Sequence, residues 1–388
     1  MSRPACLLLL IMLTATAVAE PPAASLSVNQ LDRMLAGMRD MSDRKVASQL
    51  AGIKLIERSS SAQLERWEQQ FPGARTREAL IALVDASKFL RPPPEEISDM
   101  SAPDEQTLKQ MHACMVDYVK NTLPRLPNFV AQRTTTAFEI ATEERLLAQQ
   151  LNPNILEFGK EKQADKRGYH ALGPAKSSGL PNGQLYSMGS FSQTVTYRDG
   201  VETSDLSADS IIRANHLAIG LISNGEFGSV LGFLLIDTEP EKIVWDHWER
   251  SATVPLAVFH YSVPRDRSHF AVTFNADSRP DFPAYHGEIA IDPSTGVVFR
   301  ITSVANTYDP EGAAASSLLV EFGPAQIGEV TYICPSRGVA MTKFYSAFAD
   351  LNAEPPPVAS QTFINDTSFT NYHVFRSNSR VLSGPAVP

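Results

Sequence analysis

The chain has 388 residues, 43% of them hydrophobic and 20% charged, with 27 Pro beside 21 Gly, which is room for two or three domains of about 150 residues with apolar cores. Its 34 Lys and Arg against 43 Asp and Glu give a formal net charge of −9, and the lack of a basic block excludes wholesale binding of a nucleic-acid phosphate backbone. The ordinary apolar fraction excludes a disordered or fibrous chain, and past the N-terminus no apolar run is long enough for a membrane-spanning helix.

Residues 1–19 have the three-part form of a secretory signal. Arg3 gives a positive start, residues 7–13 an apolar run, and Ala17-Val18-Ala19 a small-residue cleavage site. Cys6 precedes the apolar run, so it cannot accept a lipid after cleavage. The expectation is a soluble protein, periplasmic or secreted, that starts at Glu20 after cleavage near Ala19. Loss of Arg3, the one charge in the segment, takes the net charge from −9 to −10.

From 27 to 90 the apolar period is helical. Ser27 and Gln30 have the spacing of a capping box, and Leu31, Met34, Leu35 and Met38 follow as one stripe. A second helix starts at Ser42 with Val46 and Leu50 inward. A third carries Leu64 and Trp67 up to Pro72-Gly73, and a fourth Ala79, Leu80, Leu83 and Val84. Pro92-Pro93-Pro94 ends this region. Asp104 caps a fifth helix, with Leu108, Met111, Met115 and Tyr118 on its inner stripe. The expected division is a signal at 1–19, a helical module at 27–92, a Pro-rich linker at 93–103 and a second domain at 104–382.

After Pro124 the period changes from 3.6 to 2. Strands are expected at 128–139 and 189–197, the latter with a turn at Arg198-Asp199-Gly200. Residues 151–184 give no clear pattern, and 217–236 read as two short helices broken at Asn224-Gly225. From 241 onward strands recur. Ala257, Phe259, Tyr261 and Val263 alternate with Val258 and His260, and Tyr285, Gly287, Ile289 and Ile291 with His286, Glu288 and Ala290. Asp292-Pro293-Ser294-Thr295-Gly296 turns the chain, and Val297, Phe299 and Ile301 lead away. Further strands are expected at 318–322, 327–333, 339–345 and 372–381. Closely spaced strands with tight turns predict an antiparallel meander with a one-sided core.

Chemistry is sparse in this sequence. It has no G-x-S-x-G, G-x-G-x-x-G, P-loop or H-E-x-x-H motif, so no enzyme, cofactor or metal is expected. Trp245, His247 and Glu249 would share a strand face, with Asp246 turned away. The pair His247 and Glu249 reads either as a base or ligand pair, or as an ion pair among aromatics. His260 and His286 fall on polar strand faces. Ser42 and Lys45 fit S-x-x-K, for which a helix cap at Ser42 is the plainer account. Asp277, Asp281, Glu288 and Asp292 invite a glycosidase reading, although Asp292 fits an Asx turn. Cys114 and Cys334 survive signal cleavage. They could form a disulfide worth about 5 kcal/mol in the chain-entropy picture, or remain two buried thiols.

The run GEFGSVL, VWDHWERSATVPLAVFHYSVP, YHGEIAIDPSTGVVFRITSVA, IGEVTYICPSRGVAM and FTNYHVFRSNSRV, over about 125–382, resembles exported bacterial proteins similar to the periplasmic lipoprotein-carrier (LolA-like) superfamily. The resemblance implies a curved antiparallel half-barrel with covering helices, which together with the helical module, an addition outside the carrier fold, makes an α+β chain. It also implies non-catalytic binding of a hydrophobic ligand, lipid or lipoprotein acyl chains, on the concave face. The residues placed there are Trp245, Phe259, Tyr261, Ile289, Ile291, Val297 and Phe299. The other reading is an envelope scaffold with a self-filled barrel, which takes a protein partner through the helical module.

Overall fold

The computed structural model describes residues 24–122, 125–141, 185–205, 221, 226–239, 242–251, 254–272, 280–309, 312–345 and 361–374; residues 1–23, 151–184 and most of 206–225 lie outside that set. Helix α1 (Val28–Ala36) begins at a reciprocal cap. The Gln30 backbone N–H donates to Ser27 Oγ at 3.2 Å, and the Ser27 N–H to Gln30 Oε1 at 2.8 Å. Two donors that a helix start leaves unpaired are thereby satisfied.

Helices α2 (Asp43–Leu50), α3 (Ser61–Gln70) and α4 (Ala74–Ser87) follow. Each is too short to hold in water alone, and all four pool Leu31, Leu35, Val46, Leu50, Leu64, Trp67 and Leu80 into one core. A short parallel pair, β1 (Ala24–Leu26) with β2 (Ile53–Leu55), ties in the start of this region. The connection at 93–103 then runs along the end of β6 (Ile243–Glu249). There the Ser98 N–H donates to the Trp248 carbonyl at 2.9 Å and the Arg250 N–H to the Glu96 carbonyl at 2.7 Å. Helix α5 (Glu105–Thr122) leads into the sheet.

The sheet has ten strands. They are β3 (Phe129–Ala141), β4 (Leu185–Arg198), β5 (Val201–Asp205), β6, β7 (Leu256–Val263), β8 (Tyr285–Ile291), β9 (Val298–Asp309), β10 (Gly312–Ile327), β11 (Val330–Phe344) and β12 (Gln361–Val374), with α6 (Ser229–Asp237) between β5 and β6. Their order is β5-β4-β3-β12-β11-β10-β9-β8-β7-β6, antiparallel throughout. The chain enters mid-sheet at β3, steps out to β5, crosses to the far edge at β6 and meanders back until β12 pairs with β3. Asp199 and Gly200, with φ of 52° and 84°, make the β4–β5 turn.

The half-barrel is corrected by this order. β5 and β6 end an open α+β sheet that is neither closed nor curled. The physical reason is that the core is two-sided. Phe259, Tyr261, Ile289, Ile291 and Val320 pack under Met111, Met115 and Val119 of α5 and Leu231 and Leu234 of α6. On the other face Phe138, Leu319, Val339, Met341 and Ile364 pack on Ala82 of α4 and its neighbours. Four consecutive buried residues, Leu256 to Phe259, open β7, a pattern that a one-sided sheet does not allow. Two strand positions also differ from expectation. Residues 327–333 span the β10–β11 turn, where Gly328 takes φ 66°, and the last strand is 361–374.

The Asp292–Gly296 turn is built as its residues dictate. Asp292 Oδ1 accepts from the Ser294 N–H at 2.7 Å and its hydroxyl at 2.6 Å. Gly296 has φ 72°, and a Cβ there would lie 2.3 Å from the Cys114 carbonyl carbon on α5. We expect Gly296→Ala to cost at least about 2 kcal/mol, from positive φ and from displacing α5. Urea unfolding measures it, and a cost within 0.5 kcal/mol of zero, the usual range for a surface change, would contradict this packing.

Candidate functional site

Two β-bulges decide which side chains meet. In β6 the register slips between Trp245 and His247, so Asp246 is the extra residue. Trp245 and Trp248 both turn toward the α5 side, with centroids 4.9 Å apart, and Trp245 also packs on Phe259 at 5.8 Å. His247 and Glu249 turn to the opposite face. The expectation that Trp245, His247 and Glu249 share a face is therefore corrected. So is the one that separates Asp246 from His247, since Asp246 Oδ2 is 3.1 Å from His247 Nδ1.

In β9 Ile291 pairs with Val298 but Ala290 with Arg300. Val298 and Ile301 thus face α5, while Phe299 and Arg300 lie on the other side. The seven residues expected on one hollow are accordingly dispersed. Phe259, Tyr261, Ile289 and Ile291 are buried under α5 and α6, and Trp245 is half-buried against them. Val297 sits in the turn before β9. Phe299 packs with Leu256, Val258 and Ala290 on the opposite face. The surface assigned to a lipid or acyl chain is filled by the protein's own helices, so the carrier reading falls with the half-barrel.

On that opposite face, where the N-terminal helices meet the strands, charged groups come together out of water. Glu249 accepts from Arg300 Nη1 and Nη2, both at 2.8 Å, and from Arg58 Nη2 at 2.6 Å. Arg58 lies between β2 and α3 and also reaches Glu288 at 3.5 Å. Lys88, just past α4, donates to Glu321 at 3.0 Å and to Ser61 Oγ at 2.9 Å, and the Ser61 hydroxyl donates to Glu321 at 2.6 Å. Asp85 of α4 accepts from Arg337 at 2.6 Å, and Arg337 Nε donates to Asp366 at 2.7 Å. Each of these three clusters joins a residue of the helical layer to residues of the sheet. A buried ion needs such partners, because its desolvation costs several kcal/mol.

The electrostatics follow from this packing. Burial pushes the Glu249 carboxyl up, but Arg300, His247 and Arg58 outweigh it and hold it far below the usual carboxylate range. A carboxylate engaged by two guanidinium groups is unsuited to general-base work, which favours the ion-pair reading of Glu249 over the base reading. Glu249 and Asp246 raise the His247 imidazole against the effect of burial. Burial raises Asp85 well above its ordinary range, with Arg337 opposing. For Glu321, Lys88 and Arg337 overcome burial and bring it to about 2.

Two further buried groups stand on the α5 side. Arg133 and Glu226 form a fully buried pair at 3.1 Å, with the guanidinium 5.8 Å from the Phe369 ring centroid. Asp237 at the end of α6 accepts from Tyr285 Oη at 2.8 Å, from the His269 N–H at 2.8 Å and from His269 Nδ1. This fastens residues 265–272 to α6. Cys114 and Cys334 are both free, so the disulfide is not formed, and burial pushes the Cys334 thiol up to about 12. Among the glycosidase candidates, Asp281 is paired with Arg265 and Glu288 with Arg58, Asp292 caps its own turn, and Asp277 lies outside the described residues.

Sequence reasoning missed Arg58, Asp85, Lys88, Glu321 and Arg337. The available signal was a charge at a position that periodicity makes inward: Asp85 beside Val84 on α4, and Glu321 after Leu318-Leu319-Val320 on β10. Comparison with protein-family models, curated proteins and solved structures gives no match to this chain, so the lipoprotein-carrier resemblance has no support from them. Among the described residues no group of three or more His, Cys, Asp or Glu is placed to hold a metal, and no helix is long and apolar enough to cross a membrane.

Glu321 gives this seam a pH signature. Its value of about 2 lies below the ordinary 4.5, so its contribution is complete above pH 4.5 and is lost as the pH falls from 4.5 toward 2. Asp85, being raised, acts in the opposite sense, so the test is a difference. Glu321→Gln is expected to give a shallower acid loss of unfolding free energy than the natural protein over that window. Equal slopes would contradict the assignment.

Proposed function

We propose that this is an exported, non-catalytic binding protein whose N-terminal helical layer takes a protein partner. The observation that carries the reading is that the layer has both groups committed to the sheet and exposed apolar groups. Its inner side is committed to the sheet through Arg58, Asp85 and Lys88. Away from those contacts it keeps Met41 and Ile56 exposed, at 42% and 59%. Met41 borders a shallow depression of about 550 Å³ lined also by Asp40, Ser42, Lys45, Ser48 and Gln49. Charged and amide groups around an exposed apolar residue fit a protein surface better than an acyl chain. Export rests on the signal form of residues 1–19, and the non-catalytic reading on the commitment of Glu249 to two arginines.

Removing the helical layer would not test this, because it would strip the cover from Phe138, Leu319 and Ile364. A photo-crosslinking residue at position 41 or 56 of the exported chain is the better probe, with position 330 of the β10–β11 turn as control. The reading expects a mature N-terminus at Glu20 and one discrete protein adduct from 41 and 56 that is absent from 330. An unprocessed N-terminus, or adducts equal at all three positions, would sink it.

A further inference from the structure

The helical layer does not cover all of its sheet face. Toward the β6 edge, His260 of β7 and His286 of β8 are exposed on that face, beside Val244 of β6, which is 56% exposed. The register sets His260 opposite Glu288 and His286 opposite Ser262, so the two imidazoles are diagonal neighbours. Their centroids are 5.8 Å apart, with planes tilted by 42°. Two imidazoles that bind one ion through nitrogens at about 2.0–2.1 Å have centroids roughly 5–6 Å apart. Among the described residues neither ring has a hydrogen-bond or ion-pair partner. Strands hydrogen-bonded on both sides fix the two Cα positions, so the diagonal placement of the two residues belongs to the fold.

A carboxylate stands on the same face. Glu288 lies directly across from His260 and two positions along from His286, on the same face. Its contacts with Arg58 and Arg300 are long, 3.5 and 3.9 Å, and its side chain keeps 26% exposure. The close ion-pairing of both arginines is instead supplied by Glu249. With Glu288 turned toward Arg58 the three groups do not converge, and Glu288 would join the imidazoles only by leaving Arg58.

We propose that His260 and His286 form a binding site for a divalent transition-metal cation of the zinc class, with Glu288 as third protein ligand and solvent in the remaining position. Imidazole donors favour zinc, copper and nickel, whereas magnesium and calcium call for oxygen ligands. The open coordination position and the exposed face leave the ion accessible from solvent.

The test is calorimetric titration of the EDTA-treated full-length mature protein with zinc chloride. The proposal expects one zinc ion per chain, unaffected by excess magnesium. Affinity should fall about tenfold or more in His260→Ala and in His286→Ala, and by less in Glu288→Gln. His373→Ala, on β12, should bind as the natural protein does. Absence of stoichiometric binding, displacement by magnesium, or undiminished binding in both histidine variants would overturn the site. All of the variants are on exposed or half-exposed strand positions, and matching circular dichroism spectra establish that they fold.

Discussion

A charge taken out of water has to meet its opposite, and for Arg58, Asp85 and Lys88 the opposite sits on a different layer. Arg58, Asp85 and Lys88 belong to the helical segment, while Glu249, Arg300, Glu321 and Arg337 project from strands of the sheet. Glu249 with Arg300 and Arg337 with Asp366 pair within the sheet, but Arg58, Asp85 and Lys88 would be left unpaired without it, a cost of several kcal/mol for each. The N-terminal helices are therefore one layer of a three-layer body, with the sheet in the middle and α5 and α6 beyond it. Apolar packing of α4 on Phe138, Leu319 and Ile364 supplies non-directional attraction, and the ion pairs fix the position at which that attraction is satisfied.

The bulges in β6 and β9 make this arrangement possible. Without the extra residue at Asp246, strand alternation would put Trp245 and His247 on one side. With it, both Trp245 and Trp248 go to the apolar face and both His247 and Glu249 to the charged one. In β9 the same device sends Arg300 to Glu249 while keeping Val298 and Ile301 in the core. One inserted residue in each strand thus places the ionic side chains of this stretch on a single face of the sheet.

Much of the local structure was legible in the sequence. The cap at Ser27 and Gln30, the apolar stripes of α1 to α4, the Asp292 turn and the Asp199-Gly200 hairpin all follow from short-range chemistry that a few residues encode. The antiparallel, meandering character of the second half was also legible from strand spacing. What failed was the number of buried faces. Alternation around Phe259 and Tyr261 suggested one apolar side, yet Leu256, Val258 and Ala290 also bury, because the N-terminal helices return to cover them. That return spans some 190 residues between Arg58 and Glu249, and no local pattern records it. The half-barrel resemblance failed for the same reason, since a sheet covered on both faces offers no hollow. The bulges were equally invisible, because one extra residue leaves the composition of a strand unchanged.

Ion pairing across the layers, beyond apolar contact, holds the helical layer on the sheet. A double-mutant cycle on Arg58→Met and Glu249→Gln, read by urea unfolding, tests it most directly. The account predicts that each single change is costly, on the order of 3–5 kcal/mol, and that the two are coupled by about 2 kcal/mol or more. Additivity of the two changes within about 0.5 kcal/mol would mean that the arginine and the glutamate do not depend on each other, and would contradict it.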